Sequence, residues 1–213
     1  MKSVVIVDYG IGNLLSVARA FERCGASATV TGSADQLAHA KHLVLPGVGA
    51  FGDCVTSLRN RGLYEPVREY AQSGRPFLAI CVGMQMLFDE SEEFGSHQGF
   101  GLIPGRVIAI PTQCTDGGIR KVPHIGWNAL VKSKGASDWN GSILSNTRQG
   151  ESVYFVHSFA GRPAAPEHRL ADCDYLGESL CAVVKSGNIY GCQFHPEKSG
   201  RVGLQMLTRF LEL

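Results

Sequence analysis

The stretch SVVIVDYGIGNLLSVARAFERCG, residues 3–25, contains the pattern that decides the fold class. Its first six residues form a short run rich in β-branched side chains, which predicts a buried strand. From about Asn13, apolar residues recur at the spacing of one helix face until Gly25 ends the pattern. The residues on this face are Leu14, Val17, Ala18 and Phe21. A strand followed directly by a helix predicts a βα unit.

The same alternation of strand and helix patterns continues through the first half of the chain. The last helical pattern is in two pieces, because Gly62 and Pro66 interrupt it. The predicted strands are apolar on both faces, which indicates a parallel sheet covered by helices on both sides. The strands are predicted at residues 28–32, 42–47 and 76–80, and the helices at residues 34–40 and 57–73.

The second half of the chain has short strand patterns at close intervals. Turn residues such as those at 186–188 separate neighbouring strands, so some antiparallel pairing is expected. No linker or repeat interrupts the chain, and we therefore expect one α/β domain, residues 1–213, with a mainly parallel central sheet and additional antiparallel strands. The strands are predicted at residues 105–110, 118–130, 152–159, 180–187 and 188–194, and a final helix at residues 203–213.

The composition excludes several function classes. Lys and Arg number 20 and Asp and Glu 19, interleaved along the chain, so no basic surface for nucleic acid is expected. The apolar run before Asp8 is too short for a signal peptide, and no segment has membrane length. Seven scattered cysteines without a C-x-x-C pair predict reduced thiols in the cytoplasm. Only Cys192 and His195 lie close together among possible zinc ligands, so no metal is expected.

The glycines Gly10 and Gly12 follow the first strand but do not predict a dinucleotide site. The third glycine of G-x-G-x-x-G is replaced by Leu15, and no acidic residue ends the second strand, at residues 31–33. These glycines favour a tight turn at the carboxyl edge of the sheet, where open α/β folds place their sites.

Cys81 lies within FLAICVGMQMLF, residues 77–88, and its residue type allows two interpretations. A free cysteine is often a small buried hydrophobe. However, Cys81 falls between a predicted strand and a helix that starts near Gly83, which is the arrangement of a nucleophile elbow. A helix N-terminus also favours the thiolate form. On position alone, core packing and nucleophilic catalysis both remain open.

A thiolate nucleophile needs a base and a group that orients the base. NIYGCQFHPEKSG, residues 188–200, offers His195 at a strand end and Glu197 two positions later, where an extended chain points both side chains the same way. The alternative is a surface His-Pro turn with a solvated glutamate. His124 and His157 have no carboxylate within three positions. In LPGVGAFGDC, residues 45–54, Gly47 and Gly49 flank Val48 and give a backbone suited to binding an oxyanion.

Taken together, these motifs resemble those of the class I (triad) glutamine amidotransferases. Within that family they are most similar to the glutaminase subunits of imidazole glycerol phosphate synthase, an enzyme of histidine biosynthesis. The similarity runs the full length of the chain, with Ala79 and Val82 as small departures beside the cysteine. The matching blocks are VDYGIGNLLSV, LPGVGAFGDC, CVGMQMLF, LIPGRV, VPHIGWN, YFVHSF and GCQFHPEKSG.

The resemblance implies a flavodoxin-like fold and a glutaminase without cofactor or metal. It implies that Cys81 attacks the side-chain amide of L-glutamine, that His195 transfers protons and that Glu197 orients His195. The oxyanion hole would be formed by backbone N–H groups of Val82 and of the loop that contains Val48 and Gly49. The implied substrate-binding residues are Gln85, Gly47, His157 and Ser158.

The resemblance also implies a heterodimer with a (βα)8-barrel cyclase subunit that receives the ammonia. The products there are imidazole glycerol phosphate and an aminoimidazole carboxamide ribonucleotide, and the glutaminase is expected to be weak until the partner binds. The implied contact residues are Asn13, His124, Trp127, Tyr154 and Lys198, although Trp127 fits the core equally well on sequence alone. Two alternatives are a glutaminase serving chorismate or pyridoxal phosphate chemistry and a non-catalytic interaction protein.

Overall fold

The structure is a computed structural model that describes residues 2–114, 117–134 and 138–213. In its first half, strands and helices alternate as predicted. The strands are β1 (Lys2–Val7), β2 (Ala26–Thr31), β3 (Leu43–Gly47) and β4 (Phe77–Cys81). The helices are α1 (Leu14–Arg23), α2 (Ala34–Ala38), α3 (Phe51–Asn60), α4 (Tyr64–Gln72) and α5 (Val82–Gln85).

The helix predicted at residues 57–73 differs from the structure in its start and in its continuity, and α2 ends two residues before the predicted residue 40 (40 minus 38). Helix α3 begins at Phe51, six residues before the predicted start at residue 57 (57 minus 51), because the Glu93 carboxylate accepts a hydrogen bond from the Phe51 N–H at 2.7 Å. Pro66 lies in the first turn of α4, where a missing backbone N–H costs nothing. The interruption therefore marks the start of a second helix.

The second half contains ten strands and the last helix among its described residues. The strands are β5 (Glu90–Ser91), β6 (His97–Gln98), β7 (Gly105–Ala109), β8 (His124–Ala129), β9 (Val131–Lys132), β10 (Ser152–His157), β11 (Phe159–Pro163), β12 (Arg169–Tyr175), β13 (Glu178–Ser186) and β14 (Ile189–Cys192). Helix α6 is Gly200–Phe210, three residues nearer the N-terminus than predicted (203 minus 200). Short 3-10 helices span Pro166–His168 and Pro196–Lys198. The predicted strand at 118–130 is confined to β8, and β12 was not predicted.

An eight-stranded sheet forms the centre of the molecule, in the order β2-β1-β3-β4-β14-β13-β12-β9. The strands from β2 to β14 are parallel, and β13, β12 and β9 continue the sheet antiparallel. Every residue of β3 and β4 is buried, so both faces of the sheet are covered there. The predicted fold class, α/β with a mainly parallel sheet and antiparallel additions, is confirmed.

Two smaller sheets lie beside the central one. Strands β10 and β8 pair antiparallel, and a four-stranded sheet has the order β11-β7-β5-β6. The buried apolar residues of the described chain form one continuous core. Within residues 2–114, 117–134 and 138–213, no helix has the length and apolar character needed to cross a bilayer.

Candidate active site

Cys81 is the last residue of β4 and directly precedes α5, at a sharp turn of the backbone. Its φ is +57°, a left-handed conformation that is uncommon outside glycine. The turn requires Gly83, because a Cβ there would lie 2.1 Å from the carbonyl oxygen of Leu45. Such strain is typical of a nucleophile elbow. The Cys81 side chain is buried from bulk solvent but lines a cavity, so it is not core filler.

His195 comes to Cys81 because β14 lies next to β4. The two strands are parallel, with Cys192 opposite Ile80, so the chain that leaves β14 passes the end of β4. His195 Nδ1 and Glu197 Oε1 are 2.9 Å apart, and only 1% of the Glu197 side chain is exposed. With Nδ1 bonded to the carboxylate, the other ring nitrogen, Nε2, is left to exchange protons at the sulfur.

The electrostatics around His195 favour its charged form. Burial lowers the pKa of the imidazole, but interactions with Cys81 and Glu197 outweigh burial and raise the pKa to about 9. An imidazolium at neutral pH stabilises a neighbouring thiolate. The arrangement is therefore suited to a thiolate–imidazolium pair, the reactive state of a cysteine nucleophile.

A glycine-containing loop lies on the other side of Cys81. Gly47, at the end of β3, pairs with Cys81 in the parallel register, and a Cβ on Gly47 would lie 2.6 Å from the backbone nitrogen of Gly83. Val48 and Gly49 then line the cavity, and the φ of Gly49 is +86°. Val82, next to Cys81 and packed against Gly47, begins α5, so its N–H has no partner within the helix. The Val82 N–H and the backbone of the Val48-Gly49 loop therefore both border the cavity at Cys81.

The cavity at Cys81 has a volume of about 350 Å³. The buried amide of Gln85 reaches its wall, where Nε2 donates to the Phe159 carbonyl oxygen at 3.0 Å and to Gln193 Oε1 at 3.2 Å. Within the described residues, no group of three His, Cys, Asp or Glu side chains is placed to hold a metal ion. The lining residues are Val48, Gly49, Cys81, Val82, Gln85, Glu93, Pro123, Val156, His157, Ser158, Phe159, His195 and Lys198.

Comparison with known proteins gives the family. The family model described as glutamine amidotransferase class-I matches residues 5–213. Imidazole glycerol phosphate synthase subunit HisH 1 of Legionella pneumophila strain Lens is 51% identical over 213 residues and covers 100% of both chains. The HisH subunit of Syntrophotalea carbinolica is 49% identical and covers 97% of this chain and 98% of its own. The chain belongs to the HisH group of class-I glutamine amidotransferases.

Solved structures agree with this HisH fold. The structure of PurLQS from Thermotoga maritima has a TM-score of 0.71 at 22% identity and covers 100% of this chain and 99% of its own. The structure of a glutamine amidotransferase from Thermotoga maritima has a TM-score of 0.63 at 17% identity and covers 94% of this chain and 78% of its own. At such low identities, these similarities establish the fold alone.

Strands β8 and β10 give this HisH-type chain an exposed apolar face, which we call the docking face. Their register places Tyr154 opposite Trp127 and Val156 opposite Ile125. Trp127 is 59% exposed and its ring meets that of Tyr154 edge-on, with centroids 5.9 Å apart. Trp127 is therefore not a core residue. Because Val156 also lines the cavity, the docking face reaches the active site.

His124, which the resemblance implies as a contact residue, is buried in the isolated chain. Only 2% of the residue is exposed, and its ring stacks on Tyr175 on the buried side of the same two strands. Its Nδ1 lies 3.0 Å from Nε2 of His157, whose Nδ1–H donates to the Phe159 carbonyl oxygen at 2.8 Å. Burial lowers the pKa of His124 to about 4 and that of His157 to about 3, so both rings are neutral at pH 7.

Other residues implied by the HisH resemblance lie around Cys81, His195 and Glu197. His157 and Ser158 line the cavity, and the exposed Lys198 reaches its mouth. Asn13 is the residue that precedes α1, and it borders a small void together with His195 and Glu197.

Glu93 is a cavity residue that sequence reasoning missed. It lies in DESEEFG, residues 89–95, where four acidic residues crowd within five positions, and the pattern does not distinguish among them. In the structure Glu93 lines the cavity and accepts the hydrogen bond that starts α3, directly after the Val48-Gly49 loop.

Proposed function

We propose that this chain, acting as a single domain over residues 1–213, is the glutaminase subunit of imidazole glycerol phosphate synthase. It hydrolyses glutamine to glutamate and ammonia. The observation that carries the proposal is Cys81 on a strained turn, with the His195–Glu197 pair on one side and the Val48-Gly49 loop on the other. Full-length relatives with the HisH name support the choice of glutaminase.

The chemistry follows from these positions. The Cys81 thiolate attacks the amide carbon of glutamine, and the N–H groups of Val82 and of the Val48-Gly49 loop bind the resulting oxyanion. His195 gives its Nε2 proton to the nitrogen as the C–N bond breaks, so ammonia leaves and a γ-glutamyl thioester remains. Water then attacks the thioester and gives a proton to His195, the C–S bond breaks, and glutamate leaves.

Substrate binding is assigned to groups around the cavity. Gln85, Gly47, His157 and Ser158 hold the glutamine, as the resemblance implies. Glu93 adds a carboxylate at the cavity wall, which suits the α-ammonium group of an amino acid. His157, which also lines the cavity, is neutral at pH 7, so it does not repel a bound ammonium group.

The partner is proposed to be a (βα)8-barrel cyclase subunit, with which the chain forms a heterodimer. The exposed Trp127 ring, edge-on to the half-buried Tyr154 on strands that also carry cavity residues, fits the centre of a protein interface. Ammonia would pass directly to the cyclase, which forms imidazole glycerol phosphate and an aminoimidazole carboxamide ribonucleotide. The seven cysteines are free thiols, which supports a cytoplasmic setting.

Labelling with the glutamine analogue 6-diazo-5-oxo-norleucine tests the nucleophile. We expect the label on the Cys81 peptide, with loss of labelling and of glutamine hydrolysis in Cys81→Ser. Cys24→Ser is the matched control, since Cys24 is half-buried beside α6 and distant from the cavity. A label on another cysteine, or turnover by Cys81→Ser in the presence of the cyclase subunit, would refute the mechanism.

Glutamine hydrolysis with and without the cyclase subunit tests the partner. We expect the subunit to increase the rate and Lys198→Ala to weaken both binding and stimulation, because Lys198 is exposed at the cavity mouth. Lys132→Ala, at an exposed position of β9, serves as control. Unchanged affinity and stimulation in Lys198→Ala would remove Lys198 from the interface.

A further inference from the structure

Gln193 is a buried polar residue beside the nucleophile that has no role in the mechanism above. None of its surface is exposed, and it follows β14 between Cys192 and Phe194, both fully buried. Its Nε2 lies 3.9 Å from Cys81 Sγ, at the distance of a long N–H···S hydrogen bond. Burying an amide is costly unless its groups are hydrogen-bonded, so this position calls for an explanation.

The orientation of the Gln193 amide follows from its neighbours. The Phe159 carbonyl oxygen can only accept hydrogen bonds, so the Gln85 NH2 group must face it, at 3.0 Å. The same NH2 group donates to Gln193 Oε1 at 3.2 Å. If the Gln193 amide were flipped, two NH2 groups would face each other. The Gln193 NH2 group must therefore point to the sulfur.

A hydrogen-bond donor in this position affects the balance between the thiol and the thiolate of Cys81. A hydrogen bond to a charged group is stronger than one to its neutral form, so an N–H directed at sulfur favours the thiolate. His195 supplies charge on one side of Cys81, and Gln193 supplies an oriented dipole that does not titrate. Because Gln85 borders the substrate cavity, the donor is also held by the wall that contacts glutamine.

We propose that Gln193 is a catalytic residue, whose side-chain amide donates to Cys81 Sγ and stabilises the thiolate before and during attack. This inference rests on the proposed function and adds a third group to the stabilisation of the nucleophile. It predicts that removing the amide lowers thiolate reactivity without removing the His195–Glu197 pair.

The test is alkylation of Cys81 by iodoacetamide between pH 5 and 10, followed by mass spectrometry of the Cys81 peptide. In Gln193→Leu we expect the pH midpoint of alkylation to rise by about half a unit or more, because the thiolate loses a donor. Gln193→Glu places an anion beside the sulfur and should raise the midpoint further. Gln72→Leu, at an exposed position of α4, is the control.

The variants leave every other charged or titratable group near the sulfur in place, so the comparison isolates residue 193. A Gln193→Leu midpoint equal to that of the unsubstituted chain would overturn the proposal. Alkylation needs no glutamine, so its outcome is independent of whether the chain proves to be a glutaminase. The unchanged groups are Tyr9 after β1, Cys54 in α3, Glu93 and His157 at the cavity wall, and His195, Glu197 and Lys198 after β14.

A second measurement needs no substitution at position 193. In the 15N-labelled chain, the side-chain amide signal of Gln193 should shift with pH at the alkylation midpoint of Cys81, and this titration should vanish in Cys81→Ser. A Gln193 signal that does not titrate, or that titrates equally in Cys81→Ser, would contradict the hydrogen bond. This result decides the proposal even if Gln193→Leu fails to fold.

Discussion

Gly83 is the residue on which the turn at Cys81 depends. A Cβ at this position would lie 2.1 Å from the Leu45 carbonyl oxygen, and this backbone group belongs to the buried strand β3 and cannot move aside. We expect Gly83→Ala to lower the free energy of unfolding by about 3 kcal/mol or more. Urea denaturation measures this loss, and glutamine hydrolysis should fall with it.

The control for Gly83 is Gly62→Ala. Gly62 has a φ of +68°, and no atom lies within 4 Å of the place that an added methyl group would take, so only backbone strain of about 1 kcal/mol is expected. Equal losses in the two variants would show that the contact with Leu45 is relieved by a small shift of the helix.

The raised pKa of His195 makes stability depend on pH. In the folded chain the pKa of His195 is about 9, above the ordinary value of 6.5. The protonated ring therefore stabilises the folded chain fully below pH 6.5, and this stabilisation is lost as pH rises through 9. Glu197→Gln keeps an acceptor for Nδ1–H but removes the negative charge. We therefore expect Glu197→Gln to destabilise the chain at pH 6.5 and to have a smaller effect at pH 9.5, as measured by urea unfolding.

Titration of the His195 ring by NMR checks the same prediction directly. The pH of half-protonation should be lower in Glu197→Gln than in the unsubstituted chain, because the variant loses an interaction that favours the imidazolium. A destabilisation that is constant between pH 6.5 and 9.5 would mean that Glu197 acts through packing rather than through charge.

At the scale of elements, strand β10 is tied to the segment that carries His195. The His195 N–H donates to the Tyr154 carbonyl oxygen at 3.0 Å, and the Tyr154 N–H donates to Ser199 Oγ at 3.0 Å. The Ser199 hydroxyl in turn donates to the His195 carbonyl oxygen at 2.7 Å. The docking face and the His195 segment therefore share a hydrogen-bonded connection through a buried serine.

Ser199→Ala should reduce turnover more than its loss of stability explains. The variant removes two hydrogen bonds, at a cost of about 1–3 kcal/mol, and leaves the His195 segment held to β10 by the backbone hydrogen bond to Tyr154. Ser142→Ala is a matched control, because the buried Ser142 hydroxyl donates to the Trp139 carbonyl oxygen at 2.6 Å and accepts from the Leu144 N–H at 3.1 Å. If both variants kept full stimulation by the cyclase subunit, the connection would be structural only.

Local pattern predicted most elements of the first half, since strands buried on both faces and amphipathic helices leave clear periodicities. It missed β12 because this strand carries Asp172, which is buried through an ion pair with Arg169 at 2.9 Å. It gave no end for α5, because Met84, Met86, Leu87 and Phe88 are all buried although the helix ends at Gln85. Burial on all sides removes the periodicity from which helix length is read.

The sequence predicted those residues of the candidate site that lie at the ends of predicted strands. Cys81 and His195 could be proposed from their own motifs, but their proximity depends on β14 lying between β4 and β13, which no local pattern specifies. Which side of β8 is buried likewise depends on tertiary packing, so the burial of His124 could not be read from its motif. Gln193 was visible only as a polar residue in an apolar strand.

At the scale of the whole molecule, the docking face is the surface that we propose for contact with the partner. Trp127 is the largest exposed apolar side chain on this face, and we expect Trp127→Ala to weaken binding of the cyclase subunit at least tenfold, a loss of more than about 1.4 kcal/mol. The melting temperature of the isolated chain should hardly change, because little burial is lost. Titration calorimetry measures the affinity.

Ile119→Ala provides the comparison for Trp127. Ile119 is 88% exposed and lies in an isolated bridge with Gln113, outside the docking face, so its truncation should leave the affinity unchanged. If Trp127→Ala bound as tightly as Ile119→Ala, the partner would have to use another surface.

The neighbouring positions of β4 and β14 also affect how the chain folds during synthesis. Gln193 and Cys81 are 112 residues apart in the chain, so their contact closes one of the longest loops in the fold. Contacts of this kind form slowly, and during synthesis β14 emerges long after β4. A growing polypeptide thus carries an unactivated thiol until its last strands have docked. The rate at which that thiol reacts should therefore report when the last strands have docked.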